Sequence, residues 1–329
     1  MSKATDNVLS IRNLSIDYAT QEGSLKALRN VDLDIPKGQI VGVVGESGCG
    51  KSTLISSIIQ LMANNAKTTS GTVFFEGEDL LTMSPTKLKS LRGQRMSIVF
   101  QDPMSTLNPV LTIGKQMVDI QYRDKRSKSQ KRQRSADMLA QVGIPDPASR
   151  LNQYPHEFSG GMQQRISIAM ALQAQPALLI ADEPTTALDA TLEVQIIDML
   201  KELQSSIGCS ILFISHHLGV IAELCNQVVV MYAGEIVEQG PVSRVFKSPK
   251  HPYTQKLLEC DPASIAKKTR NLPTIEGEIP NLSDLPAGCI FTSRCHKKTA
   301  QCEELKPKRH AVTQGATEKH FVTCHLESL

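Results

Sequence analysis

An α/β fold on a mainly parallel sheet is predicted by three observations. Short apolar runs alternate with helical stretches from residue 8 to about residue 239, a Gly-rich loop joins one such run to a helix, and another run ends in paired carboxylates. The full expectation is a parallel core, a flanking antiparallel β subdomain, a helical subdomain and a small Cys-rich C-terminal domain.

The first segments, LSIRNLSIDY and LRNVDLDIP, alternate apolar and polar residues and read as half-buried antiparallel strands. Core strands are predicted at 40–44, 97–100, 178–182, 211–215 and 228–232. Between 103 and 153 the strand signal fades, and SADMLAQVGI has helical spacing, which suggests a mostly helical insertion. After Gly240 a series of prolines interrupts any long element, and four of the eight cysteines lie beyond Pro286. The predicted domains are therefore 1–250, with the helical subdomain at about 103–175, and 251–329.

A chain of 329 residues suits one large domain plus a small one, and 40% hydrophobic with 21% charged residues is an ordinary globular composition. No apolar run approaches the roughly 20 residues that cross a bilayer, and the start, MSKATDNVLSIRN, lacks a secretory h-region. The chain is expected in the cytoplasm, with any membrane business left to partners. A formal charge of +3 does not argue for nucleic acid, because a binding footprint needs cations clustered on one face. The densest basic stretch, RDKRSKSQKRQR at 123–134, reads as a solvated helix or loop face. Eight cysteines in such a chain point to thiols or metal ligands rather than a disulfide framework.

GESGCGKST at 45–53 fits the G-x-x-x-x-G-K-[ST] phosphate loop, with the strand IVGVV before it and the helical STLISSIIQLM after it. Gly45, Gly48 and Gly50 let the backbone turn so that amides from Ser47 to Thr53 can face phosphate, and the helix N-terminus adds its positive end. Lys51 supplies a point charge, and Ser52 offers its hydroxyl to Mg²⁺. Cys49 lies inside the loop at a variable position and reads as a structural or incidental thiol rather than a catalytic one. LLIADEPTTALD at 178–189 buries a strand and delivers two carboxylates at its C-terminal end, where open α/β sheets bind ligands. Asp182 is expected in the Mg²⁺ shell, and Glu183 is placed to orient or deprotonate the water that attacks the γ-phosphate. FSGGMQQR at 158–165 sets Ser159, Gly160 and Gly161 before an apolar helix, a second anion-binding N-terminus.

Together these residues resemble the ATP-binding cassette family over about 240 residues. FSGGMQQR resembles its signature, TALD at 186–189 its D-loop with Asp189, Gln101 its Q-loop, His216 its switch histidine, and Tyr18 the aromatic that stacks on adenine. His217 stands where the family often has Asp, and Met162 where many members have Gln, although SGGM is common in the peptide-importer branch. The resemblance implies a RecA-like P-loop NTPase core and an Mg²⁺ set of Ser52, Gln101 and Asp182. It also implies that two cassettes pair head to tail, so that Ser159, Gly160, Gly161 and Asp189 serve an ATP bound to the partner.

FQDPMSTLNPVLTIGKQ at 100–116, QVGIPDPASRLNQYPHEFSGGM at 141–162 and the tail beginning HPYTQKLL resemble the ATPase subunits of dipeptide and oligopeptide importers. That implies a second, homologous ATPase in a heterodimer, two transmembrane permeases, an extracytoplasmic solute-binding protein, and a peripheral place on the cytoplasmic face of the membrane. Related importers carry nickel, opines or oligosaccharides, so the solute is left open. A soluble cassette acting on nucleic acid is the remote alternative; such proteins usually carry long insertions or two cassettes.

Cys289, Cys295, Cys302 and Cys324 form C-x5-C-x6-C-x21-C in a short Pro-rich tail, which suits an Fe–S cluster, zinc or packed reduced thiols. The spacing departs from structural zinc pairs, and the importer resemblance favours a 4Fe-4S cluster. His296 and His325, each next to a cysteine, read as exposed side chains first and as alternative ligands second, and the expected role is a staple for a segment with little core of its own.

Overall fold

The computed structural model describes residues 6–21, 23–186, 188–262, 273–312 and 319–326. The chain divides into two compact units, one of Met1–Pro36, Ile40–Met83 and Ser215–Leu329, the other of Lys37–Gln39 and Ser84–Ile214.

In the first unit, β1 (Asn7–Thr20) and β2 (Gly23–Pro36) pair antiparallel. Leu9, Ile11, Leu14 and Ile16 all point inward, although the step from 11 to 14 breaks strict alternation. A register shift between Ile11 and Leu14 absorbs the extra residue, with Asn13 at φ 48°. Asn tolerates that left-handed conformation better than most residues. Next come β3 (Ile40–Val44), the helix Lys51–Ile59, β4 (Ala66–Phe75) and the two-residue β5 (Glu78–Asp79). The antiparallel sheet runs β2-β1-β4-β5.

All five residues of β3 are buried, as expected for a parallel strand covered on both faces. The second unit contains β6 (Met96–Val99), β7 (Leu178–Asp182) and β8 (Ser210–Ile214), with β7 paired in parallel to both neighbours. Between β6 and β7 lie helices at Pro103–Thr106, Ile113–Asp119, Lys128–Gln141, Pro147–Arg150 and Gly160–Leu172. Ser127 starts the longest of these through a capping box with Gln130, each side chain accepting from the other's backbone amide. Its inner face is Ser135, Ala136, Met138 and Leu139. The basic stretch is mainly exposed, but Arg134 turns in to donate to the Gln173 carbonyl at 2.7 Å.

The chain returns to the first unit at Ser215, and there β9 (Gln227–Tyr232) runs parallel to β3 and β10 (Glu235–Pro241) antiparallel to β9. Ala233 and Gly234, both at positive φ, make the two-residue turn that matches strand twist. Arg29 closes this turn, donating to the Ala233 carbonyl and to Glu235. The tail adds β11 (Arg309–Ala311) and β12 (Phe321–Thr323), and β12 pairs with β10.

A separate Cys-rich module is not supported, because β12 of the tail pairs with β10 in the same unit. Tyr253 and Phe291 are fully buried and pack against Tyr232 of β9, one tilted and one edge-on, with ring centroids 4.6 and 5.1 Å from it. The tail thus draws its core from aromatics laid against β9 and a strand added to β10.

The five predicted core strands lie within one residue of those found. Among the described residues no helix is long and apolar enough to cross a membrane.

Candidate functional site

The phosphate loop leaves β3 and turns on three positive-φ glycines, Gly45 at 154°, Gly48 at 80° and Gly50 at 104°. A side chain at Gly45 would run into the Met231 carbonyl, and one at Gly50 would meet Leu28 and the Ala27 carbonyl at 2.8 and 2.9 Å. Only glycine fits these two positions. Gly50 caps the helix Lys51–Ile59 without a side chain in the way, so its first amides stay directed at the loop. Lys51 folds over the loop, donating from Nζ to the Gly45 and Glu46 carbonyls at 2.6 and 3.1 Å. Ser47, Gly48 and Ser52 are exposed, while Cys49 is buried with its thiol pKa pushed up by burial. Tyr18 Oη lies 3.4 Å from Thr53 Oγ1, which ties β1 to this helix. The glycine-shaped cradle fits a polyphosphate.

His216 is also in the first unit, exposed, two residues beyond β8, with its ring edge-on to His217 at 4.6 Å. Ser215 holds the turn: its amide donates to the Val43 carbonyl, and its hydroxyl accepts from the His217 amide at 3.0 Å.

The second unit carries the paired carboxylates. Asp182 ends β7, half-buried, opposite Ile214 of β8. Glu183 follows at φ 47°, a left-handed conformation that costs a non-glycine residue about 1 kcal/mol or more. Its amide is anchored on the Ile214 carbonyl at 2.9 Å, and its Oε2 accepts from Gln101 Nε2 at 3.3 Å and Thr186 Oγ1 at 2.9 Å. The structure therefore joins Gln101 to Glu183, a pairing that sequence did not reveal. The hydroxyl, amide and carboxylate oxygens of Ser52, Gln101 and Asp182 are the hard donors that Mg²⁺ prefers.

Ser159 caps Gly160–Leu172, its Oγ accepting from the Met162 amide at 3.4 Å. Gly160 has open space where a side chain would go, and Gly161 faces Leu192 at 3.0 Å. Asp189 caps Ala190–Ile207 by accepting from the Leu192 amide at 2.9 Å. Of the TALD segment, Ala187 lies outside the described residues.

Sequence reasoning missed Glu46, which stands at a freely variable position of the loop. Its carboxylate pairs with Arg294 at 2.7 Å, its amide donates to Tyr253 Oη at 3.0 Å, and its carbonyl accepts from Cys49 and Lys51. No local signal could have found it, because the partners of its carboxylate and amide are more than 200 residues away.

The expectation of a 4Fe-4S cluster or zinc falls on the tail cysteines. Cys289, Cys302 and Cys324 are buried, and burial pushes the Cys289 thiol up to about 12, with the neighbouring thiols adding to the shift. Among the described residues no three or more His, Cys, Asp or Glu form a group that could hold a metal ion. A 4Fe-4S cluster is therefore not supported, and neither is the zinc alternative. His325 Nε2 donates to a different partner, the Leu305 carbonyl, at 2.8 Å.

Residues 28–186 match the ABC transporter family, and residues 237–302 match the C-terminal region of oligopeptide/dipeptide transporters. The dipeptide transport ATP-binding protein DppD of Bacillus subtilis is 43% identical, over 98% of this chain and 95% of that protein. The DppD of Escherichia coli is 40% identical over 97% of this chain and 96% of its own length. The oligopeptide transport ATP-binding protein OppD of B. subtilis is 44% identical over 87% and 81%. Among solved structures, the dimeric post-hydrolysis state of the ATP-binding cassette MJ0796 with ADP and Pi has a TM-score of 0.63 at 29% identity, covering 71% of this chain and 98% of that one. The cbiO1 cassette of Clostridium perfringens, part of a cbiONQ transporter complex, has a TM-score of 0.64 at 28% identity, covering 74% and 92%. With its glycine-shaped phosphate cradle, its paired carboxylates and this similarity over nearly its full length, the chain belongs to the ATP-binding cassette transporter family, beside the ATP-binding proteins of dipeptide and oligopeptide transport.

Proposed function

We propose that this chain is the ATP-hydrolysing subunit of an importer for dipeptides or oligopeptides. The observation that carries it is the joint occurrence of a complete phosphate cradle and the peptide-transporter C-terminal region in one chain with 43% identity to a dipeptide transport ATP-binding protein.

ATP is the substrate. The loop amides from Ser47 to Thr53 and the Lys51 ammonium bind its phosphates, and Tyr18 stacks on its base. Ser52, Gln101 and Asp182 hold Mg²⁺, which when bound neutralises charge on the phosphate oxygens. Glu183 accepts a proton from, or orients, the water that attacks the γ-phosphorus; the bond to the leaving ADP oxygen breaks, giving ADP and phosphate. Gln101 and Thr186 fix the Glu183 carboxylate for that task through the bonds already described. His216 contacts the γ-phosphate end of the site.

Ser159, Gly160, Gly161 and Asp189 serve the nucleotide of a partner cassette, because a helix N-terminus with open space before it accepts an anion from outside the chain. ATP binding closes the pair and hydrolysis releases it, a two-state element that drives two permeases. The partners in this proposal are a second ATPase, two permeases and an extracytoplasmic solute-binding protein, with the chain on the cytoplasmic face of the membrane. Residues 1–250 form the nucleotide-binding domain, including a helical subdomain at about 103–175, and residues 251–329 the C-terminal region. No step draws on a 4Fe-4S cluster.

Affinity purification of the chain from membranes tests this. Permeases and a second cassette are expected with it, and peptide is expected in the associated solute-binding protein. Nickel, an opine or an oligosaccharide in that protein would redirect the solute assignment; copurification with nucleic acid and no permease would end the importer assignment.

A further inference from the structure

The Arg294 guanidinium is held by five acceptors. Nη1 donates to Glu46 Oε2 at 2.7 Å and Tyr232 Oη at 3.3 Å, Nη2 to Glu46 Oε1 at 3.1 Å and the Ile275 carbonyl at 2.9 Å, and Nε to the Glu276 carbonyl at 3.0 Å. Arginine has five N–H donors, so each has a partner. The side chain is 4% exposed, and Glu46 faces it with a two-point carboxylate contact, the geometry that favours Arg over Lys. On the backbone side of the same residue, Tyr253 Oη accepts from the Glu46 amide, and Tyr253 is fully buried.

Glu46 is the second residue of the phosphate loop, next to Gly45. A carboxylate there is a liability, since it stands beside a cradle built to receive a highly charged polyanion. Two like charges in a partly desolvated site repel far more than they do in water. Arg294 removes that liability by neutralising Glu46 and drawing its side chain toward the tail. Arg294 and Tyr253 both come from the C-terminal region, whereas the loop comes from the cassette core.

We infer that Arg294 is a positioning residue for nucleotide binding: the C-terminal region, through Arg294 and Tyr253 on Glu46, holds the phosphate loop in its ATP-accepting form and masks its one acidic side chain. ATP affinity of the cassette is thereby tied to whether the tail is docked. The inference rests on the nucleotide site proposed above.

Equilibrium titration of the full chain with a fluorescent ATP analogue and Mg²⁺ tests it. Arg294→Met should weaken binding about tenfold, because it removes a charged hydrogen-bond pair and bares a carboxylate. The double variant Arg294→Met with Glu46→Gln should recover most of that loss, since the repelling charge is gone. Arg294→Lys, which keeps the charge but loses the two-point contact, should fall between the unaltered chain and Arg294→Met. A purely structural role would not produce the recovery by Glu46→Gln. Should Arg294→Met fail to fold, Arg294→Gln carries the same expectation, and failure of both to fold would show a fold staple and overturn the inference. Unchanged affinity in a folded Arg294 variant, or no recovery in the double variant, would overturn it as well. An unaltered chain that does not bind ATP at all would instead sink the nucleotide site itself.

Discussion

The side-chain amide of Gln101 donates to Glu183 Oε2 at 3.3 Å, joining the loop after β6 to the residue that follows β7. Glu183 pays for its place with a left-handed backbone at φ 47°, and it is also gripped by Thr186. A residue held in a strained conformation by bonds from two sides is preorganised rather than adaptable.

Removing one of those grips should therefore slow chemistry more than binding. Gln101→Ala is expected to lower ATP hydrolysis in the assembled transporter roughly tenfold or more, while ATP affinity changes by less than about threefold. Steady-state kinetics together with nucleotide titration separate the two effects. Equal loss in both would place Gln101 in ground-state binding instead.

Gly160 has nothing within 4 Å of where a side chain would stand, so the chain itself tolerates one there. Gly160→Glu should leave ATP binding by the isolated chain as it is. In the paired assembly the new carboxylate would meet the partner's phosphates, and hydrolysis should fall by about a hundredfold. An assembly that hydrolyses ATP normally with this substitution would remove Ser159, Gly160 and Gly161 from the partner's nucleotide site.

Stability should depend on pH through His251. Burial holds its pKa down to about 4 against an ordinary 6.5, although the nearby Glu238 carboxylate pulls the other way. Its Nδ1 accepts from the Tyr253 amide at 3.1 Å, which requires the neutral ring, and its own amide donates to Glu238, which also accepts from Lys250 and contacts His320. The folded state therefore resists a proton that the unfolded chain takes up below 6.5, so the stabilisation is complete above that pH and is lost as pH falls towards 4. The loss should approach about 3 kcal/mol. Urea unfolding at about pH 7 and about pH 5 measures it, and His251→Asn, which keeps an acceptor for Tyr253, should flatten the slope. A slope unchanged by that substitution would locate the titration elsewhere.

What the sequence made legible follows from how locally each feature is encoded. The buried strands 40–44, 178–182 and 228–232 announce themselves as continuous apolar runs, and the phosphate loop as a spaced set of glycines with Lys51. The β1 irregularity at Asn13 and the Ala233–Gly234 turn also have local chemical causes. The links that shape the site beyond its motifs are not local: Gln101 to Glu183 spans 82 residues, and Arg294 to Glu46 spans 248. The tail is less legible for a related reason. Cysteine spacing is visible along the chain, whereas the packing of Tyr253 and Phe291 against Tyr232, which gives the tail its core, appears only once β9 is in place.

The central claim is that ATP hydrolysis at this chain's carboxylate drives peptide uptake. Glu183→Gln, assayed in the importer reconstituted in liposomes with ATP and a labelled dipeptide, addresses it directly. The variant should keep ATP bound, lose hydrolysis by about a thousandfold and accumulate no peptide. Hydrolysis and peptide uptake at the unaltered rate would contradict it.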